Sequence, residues 1–269
     1  MAVSFFDDSS QIAFSHLALQ AVKLANLNGK PEIFYSIQGE GPSMGKPAIF
    51  IRLSQCNLHC TWCDTDYTWN WKDTPFTHDK DLQPGYEKYD KGQWVVEAAP
   101  GEITEIIGQY PCKRVILTGG EPMMQQKELI PLAEKLRKLG YFIEIETNGT
   151  YLPKAPLDAL IDQFNISPKL SNSNNELKLR IREQVLTYFS QSAKAFFKFV
   201  LASARDLQEV QDLQAAYNIA PDRIYLMPEG ITPEELNEKQ QWLVEICKAG
   251  GYNYTDRLHV HIYGDKRGV

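Results

Sequence analysis

The chain has no stretch of about eighteen consecutive apolar residues, so nothing in it is expected to span a membrane. Basic charge is in deficit: 28 Lys and Arg stand against 34 Asp and Glu, a net charge of −6. Proteins that grip nucleic acid or an anionic membrane surface carry a basic face, so neither is expected as a direct partner. The opening "MAVSFFDDSSQIAFSHLALQ" lacks a basic n-region and carries Asp7 and Asp8. It is not expected to act as a secretory signal, and the cytoplasm is the expected compartment. No internal repeat or low-complexity tract occurs. Cysteine is scarce, and its count of five is odd, which excludes a fully paired disulfide framework. What is present suits a folded enzyme-sized unit. Over 269 residues, 43% hydrophobic and 23% charged content can bury a core without staples.

The cysteines are unevenly spread. Cys56, Cys60 and Cys63 sit in "SQCNLHCTWCDT" (54–65), spaced C-x3-C-x2-C, whereas Cys112 and Cys247 stand alone in or beside helical stretches. Those two read as small packed side chains. Three thiols so close together read as ligands. A structural zinc wants four tetrahedral ligands. His59 is the only nearby candidate for the fourth, and its position next to Cys60 gives it a poor approach. A [4Fe–4S] cube instead takes one thiolate per iron, so three cysteines leave one iron open to a small molecule.

Along the chain, "IAFSHLALQAVKLANLNG" has rough helical periodicity with Gly29 as a stop, which predicts an N-terminal helical extension over 1–30. "EIFYSI" and "AIFIRLS" predict strands, with the turn-rich "QGEGPSMGKP" between them and the cysteine run directly after the second. Residues 66–95 are aromatic and charged without periodicity and predict an inserted loop or small subdomain. From about residue 100, helical and strand patterns alternate, and polar or glycine-rich motifs close the strands: "TGGEP", "ETNGT", "SPKL", "MPEG". Such alternation predicts a parallel sheet with helical crossovers, and loops contributing polar groups at successive strand ends favour a barrel. Thr232 with Glu235 and Pro233 marks a helix start. "RLHVHIYG" is expected as the last strand, with His259 and His261 on one packed face outside the site. The fold expected is α/β, a partial (βα) barrel with an N-terminal helix, as a single domain over 31–269.

The cysteine spacing, Trp62 before the third cysteine and "GGEP" (119–122) resemble the radical S-adenosylmethionine superfamily. "FYSIQGEGPSMGKPAIFIRLSQCNLHCTWCDT" (34–65), "TGGEP" (118–122), "ETNGT" (146–150), "NISPK" (165–169) and "YLMPEG" (225–230) together resemble the 7-carboxy-7-deazaguanine synthases. The resemblance runs from about residue 31 to the C-terminus and leaves 1–30 and 66–95 unanchored. It implies a partial barrel, a homodimer, a [4Fe–4S] cluster, S-adenosylmethionine, Mg²⁺ and a one-electron donor such as flavodoxin or ferredoxin. It also implies a carbon–nitrogen lyase that converts 6-carboxy-5,6,7,8-tetrahydropterin to 7-carboxy-7-deazaguanine on the route to queuosine in tRNA.

Carried over onto this chain, the resemblance gives Cys56, Cys60 and Cys63 to three irons and the fourth iron to the methionine amine and carboxylate. Thr65 would ligate Mg²⁺. Ile37, Gln38, Gly39 and Glu40 would line the pterin, with Arg52 on its carboxylate and Thr118 beside it. Trp62, Cys63, Asp64, Gly120, Glu146, Asn148, Ser167, Pro168, Lys169, Met227, Pro228, Glu229 and Gly230 would contact S-adenosylmethionine. The C-terminal "HIYGDKRGV" ends beside the expected barrel mouth, where Arg267 or the terminal carboxylate could cover the substrate. Another radical S-adenosylmethionine enzyme, such as a glycyl-radical activase, would not need the "QGEG" strand–loop. A zinc-knuckle adaptor would make no use of Lys169 or "GGEP".

Overall fold

The computed structural model describes residues 21–269. Its centre is one sheet. Strands β1 (Val22–Leu27), β2 (Lys30–Pro31), β3 (Ile33–Ile37), β4 (Pro47–Leu53), β5 (Val95–Ala98), β6 (Arg114–Gly119), β7 (Phe142–Thr147), β8 (Gln163–Ile166), β9 (Ala195–Leu201), β10 (Ile224–Pro228) and β11 (Asn253–Tyr254) follow in chain order. The spatial order is β11-β10-β9-β8-β7-β6-β4-β1-β2, with β3 also on β4 and β5 also on β1. From β4 through β6 to β11 every neighbour pair is parallel. The path is open at both ends, which makes this a partial barrel.

Helices cover the outer face. The main ones are α1 (Pro100–Ile107), α2 (Gln126–Lys138), α3 (Glu183–Gln191), α4 (Leu207–Tyr217) and α5 (Pro233–Gly250), and a short α6 (Leu258–Tyr263) closes the chain. Periodicity explains their seating: α2 buries Leu129, Leu132, Ala133 and Leu136 against the sheet. Leu139 lies past the helix end and is 51% exposed. α5 starts where the sequence says: Thr232 Oγ1 accepts from the Glu235 N–H at 3.3 Å, and the Glu235 carboxylate accepts from the Thr232 N–H at 3.1 Å. No helix among the described residues is long and apolar enough to cross a membrane.

Two expectations about the ends are corrected. Residues 1–20 of the expected N-terminal helix lie outside the described residues, but Val22–Leu27 is a strand, paired antiparallel with β5. Gly29 is not a helix stop. Asn28 and Gly29 both have positive φ (54° and 83°), the geometry of a two-residue hairpin turn joining β1 to β2. Val22 and Leu24 are fully buried two residues apart, so the period is that of a strand. At the other end "LHVHIY" is helix α6, not a strand. Its alternation put His259 and His261 on one face. In a helix that spacing turns them to different sides.

The parallel arrangement sends the C-terminal ends of β4, β6, β7, β8, β9 and β10 to one rim. There the cysteine loop leaves β4 and meets the glycines that end β6. Gly120 N–H donates to Leu53 O at 2.9 Å and Glu121 N–H to Gln55 O at 2.8 Å. A Cβ on Gly119, whose φ is +114°, would stand 2.2 Å from Leu53 O, and one on Gly120 would stand 2.0 Å from Gln55 O. Both obstructions are backbone, which cannot swing aside. Gly119→Ala is therefore expected to destabilise the chain by about 2–3 kcal/mol, at the top of the range for overpacking. Urea unfolding measures this, and an unchanged midpoint would show that the strand and the cysteine loop do not touch in this way.

Candidate active site

A cavity of about 250 Å³ opens at that rim. Every residue assigned in the sequence lines it except Pro168. β3 and its following loop bring Ile37, Gln38, Gly39 and Glu40; β4 brings Arg52; the cysteine loop brings Cys56, Cys60, Trp62, Cys63, Asp64 and Thr65. Thr118 and Gly120 come from the end of β6, Glu146 and Asn148 from β7, and Ser167 and Lys169 from β8. Met227, Pro228, Glu229 and Gly230 come from β10. Pro168 is outside the wall, between two residues that do line it.

On one side the cavity is polar and tightly bonded. Gln38, 2% exposed, donates its amide to Glu146 at 2.9 Å, and the Thr118 hydroxyl donates to the other Glu146 oxygen at 2.9 Å. Glu146, expected with S-adenosylmethionine, is thus bonded to two residues expected to line the pterin. Arg52 donates its Nε to the buried Glu32 carboxylate at 3.2 Å. Its two terminal nitrogens have no hydrogen-bond partner among the described residues, which leaves the forked end for an incoming anion. Burial works against the Arg52 charge, but Tyr67, Glu32 and Asp64 overcome it and keep the guanidinium charged.

Among the cavity residues not expected in the site are Lys198, Arg257 and His259, the last of which the sequence places outside it. Lys198 and Arg257 both pair with Glu40, Arg257 through Nε at 3.1 Å. Arg257 also pairs with Asp64 and donates to Gly230 O at 2.6 Å. One guanidinium thereby ties the loop after β3, the cysteine loop and the end of β10. Burial would raise the Glu40 pKa, yet Lys198 and Arg257 hold it well below the usual carboxylate range. His259 reaches the wall because position 39 is glycine: a Cβ there would lie 2.1 Å from its Nδ1. Burial lowers its pKa, so the ring favours the neutral form. Lys198 had a legible signal, a lone charge inside the apolar "AFFKFVL". Arg257 and His259 had none once their segment was read as a strand.

On the other side stand the thiols. Burial pushes Cys63 up to about 12, helped by Asp64, and raises Cys56 and Cys60 as well; Lys169 opposes the shift at Cys60. Soft donors that resist ionisation alone become thiolates when a cation binds them. Among the described residues no three His, Cys, Asp or Glu side chains converge as around a single metal ion. A cube that takes each thiolate on a different iron asks for no such convergence. The donor set fits that group: three thiols on one loop and no fourth cysteine in the wall. Cys112 and Cys247 lie elsewhere, and His59 turns away to stack on Phe76, ring centroids 3.3 Å apart. Thr65 Oγ1 is 3.5 Å from Cys63 Sγ. Lys169 donates to Ser167 Oγ at 3.0 Å and lies 5.7 Å from the Trp62 ring centre. Asn148 is committed to bracing, its amide donating to Asn57 Oδ1 at 2.9 Å in the cysteine loop.

The segment 66–95 is a cover, strapped to the cysteine loop from outside. Asp79 N–H donates to Thr61 O at 2.8 Å, and His78 Nε2 meets Cys63 O at 2.8 Å. The C-terminal residues Tyr263 to Val269 line the cavity's edge. Arg267 there pairs with Glu32 and lies 3.6 Å from the Tyr67 ring centre, so its charge is already engaged.

The Glu40 network makes a pH prediction. Because the folded state depresses the Glu40 pKa, its stabilisation is complete above the unfolded value of 4.5 and is lost as pH falls below it. Glu40→Gln takes buried Lys198's ion-pair partner and leaves Arg257 with Asp64 alone, and is expected to cost about 3 kcal/mol at pH 7. The gap from wild type should narrow as pH drops below 4.5, read by urea unfolding at each pH. A gap that is constant with pH would mean that the Glu40 charge is not what holds this network.

Known proteins resemble this chain at several levels. The radical SAM superfamily profile matches residues 50–198. The 7-carboxy-7-deazaguanine synthase of Pyrobaculum aerophilum is 36% identical over 238 residues, which cover 88% of this chain and 95% of that protein. That of Rhodopirellula baltica is 34% identical over 88% of this chain and 87% of its own length. The crystal structure of QueE from Escherichia coli superposes with a TM-score of 0.64 at 26% identity, over 94% of this chain and 100% of that one. Identity at this level over most of its length makes the chain a member of the 7-carboxy-7-deazaguanine synthase family, within the radical S-adenosylmethionine superfamily.

Proposed function

We propose that this chain converts 6-carboxy-5,6,7,8-tetrahydropterin to 7-carboxy-7-deazaguanine, contracting the ring and releasing ammonia, in the 7-deazapurine route to queuosine. The observation that carries this reading is a shared cavity: the three thiols open onto the same space as Gln38, Glu40, Arg52 and Thr118. When bound, S-adenosylmethionine and a [4Fe–4S] cluster supply one-electron chemistry, beginning with reductive cleavage of the sulfonium. Cys56, Cys60 and Cys63 would hold the cluster, and Ser167, Lys169, Asp64 and the 227–230 stretch would hold the sulfonium cofactor against it. With no fourth cysteine in the wall, one iron would be left to the methionine end of the cofactor.

The chain's own part is to bind, aim and exclude water. Glu40, held ionised, and Gln38, fixed by Glu146, present an acceptor and an amide to the edge of the pterin. Arg52 offers its free forked end to the substrate carboxylate. Thr65 would give its hydroxyl to Mg²⁺, which keeps few protein ligands and draws the rest from substrate and water. The 66–95 cover and the C-terminal tail keep solvent from the cavity, and Arg257 keeps the pterin side and the cysteine loop in register.

The test is anaerobic turnover. The protein is loaded with iron and sulfide, reduced, and given S-adenosylmethionine, Mg²⁺ and the carboxypterin, with products read by mass spectrometry. Formation of 5′-deoxyadenosine together with 7-carboxy-7-deazaguanine is expected. Deoxyadenosine without the deazapurine would refute the substrate. In the same assay Arg52→Ala is expected to lower kcat/KM for the carboxypterin roughly ten- to hundredfold, the worth of a charge-assisted bond. Slow cleavage of S-adenosylmethionine without substrate should be little changed; an equal loss in both would place Arg52 in folding rather than substrate binding.

A further inference from the structure

Two neutral donors close to the cysteines have no part in the assignments above. One is Asn175. The chain turns at Asn174, whose φ is +61°, and brings the next side chain back onto the cysteine loop. Asn175 Oδ1 accepts the His59 N–H at 2.9 Å. Its amide nitrogen donates to Cys60 Sγ at 3.3 Å and is shared with Ser173 O at 3.3 Å and Ser173 Oγ at 3.2 Å. A single side chain therefore fixes the backbone between two cysteines and aims an N–H at a sulfur.

The other is Trp69. It is 2% exposed and lines the cavity with Cys63, yet its indole N–H has no hydrogen-bond partner among the described residues. The ring is fixed by His59, edge-on at 5.0 Å, and by His78 at 5.9 Å. Leaving a buried N–H without an acceptor costs about 1–3 kcal/mol. Such an orphan, in a wall it shares with Cys63, makes sense when that thiol is a thiolate, a far better acceptor.

We propose that Asn175 and Trp69 are the N–H···S donors to the ligating sulfurs of Cys60 and Cys63, and that they set the reduction potential of the bound cluster. The inference rests on the reading that these cysteines hold one. The reduced cluster carries one more negative charge, spread over its sulfurs. An N–H aimed at a ligating sulfur therefore stabilises the reduced state more than the oxidised one and raises the potential. Both donors are uncharged, and neither is assigned to S-adenosylmethionine or to the pterin. They are positioning residues that act through the thiolates.

The variants Trp69→Phe and Asn175→Leu remove each N–H while keeping most of the volume. Wild type and variants are loaded anaerobically, iron and sulfide per chain are measured, and the cluster is titrated by electron paramagnetic resonance without S-adenosylmethionine. The expected result is wild-type iron content with the midpoint shifted to more negative potential in each variant and further in the double variant. A wild-type midpoint in fully loaded variants overturns the proposal. If Asn175→Leu fails to take up iron, Trp69→Phe decides alone, since its ring fills the same place. A wild-type chain that takes up no cluster is a different failure: it refutes the cysteine assignment itself.

Discussion

The site depends on a contact between two stretches of backbone. Where β6 ends, Gly119 and Gly120 press directly on Leu53 and Gln55, the residues that lead into the cysteines. Any side chain at either glycine would fill that gap, so the approach requires glycine at both positions. The contact gives the cysteine loop a floor made of the sheet itself. The buried Glu121 carboxylate extends it, accepting from the Thr147 hydroxyl at 2.7 Å and the Asn148 N–H at 2.7 Å, and so locks the end of β7 to the same seat. Three thiols on a long loop would otherwise cost much conformational entropy to order. Here most of that cost is met when the sheet forms.

The loop is held from three further directions. Below the rim, Arg257 joins Asp64 to Glu40 and Gly230. From outside, His78 and Asp79 bond the cover to the backbone of Cys63 and Thr61. From the β8 side, Asn175 reaches His59 and Cys60. Of these the Arg257 tie has the widest consequence, because it makes the loop after β3 and the cysteine loop parts of one buried ionic network. Buried ion pairs add little net stability but hold geometry tightly, since breaking either partner is costly. That suits a reaction in which two bound molecules must stay aligned within fractions of an ångström.

About half of the cavity wall was legible in the sequence, and for an identifiable reason. Strand-end motifs such as "TGGEP", "ETNGT" and "MPEG" are local in sequence, and parallel topology brings strand ends together. Arg52 was legible as a charge inside an apolar strand. Lys198 carries the same signature and was passed over. The misses share a cause, which is that tertiary pairing decided what the local pattern left open. "VKLANLNG" reads as helix from its Leu and Ala content, yet β5 supplies a partner and Asn28–Gly29 supplies a hairpin turn. "LHVHIY" alternates like a strand, yet the chain has passed the last sheet position and coils back over the rim, bringing His259 and Arg257 into the wall. The role of 66–95 could not be read because its contacts with the cysteine loop, from His78 and Asp79 to backbone and from Phe76 and Trp69 to His59, follow no local period.

The central claim is that Cys56, Cys60 and Cys63 hold a four-iron cluster whose fourth iron faces the cavity. The most direct measurement is iron and sulfide content after anaerobic loading, with the paramagnetic resonance spectrum of the reduced protein recorded before and after adding S-adenosylmethionine. The account predicts about four irons and four sulfides per chain, the composition of the cube, and a spectrum that changes on adding the cofactor. A colourless protein that binds a single zinc, or a cluster whose spectrum S-adenosylmethionine leaves unaltered, would contradict it.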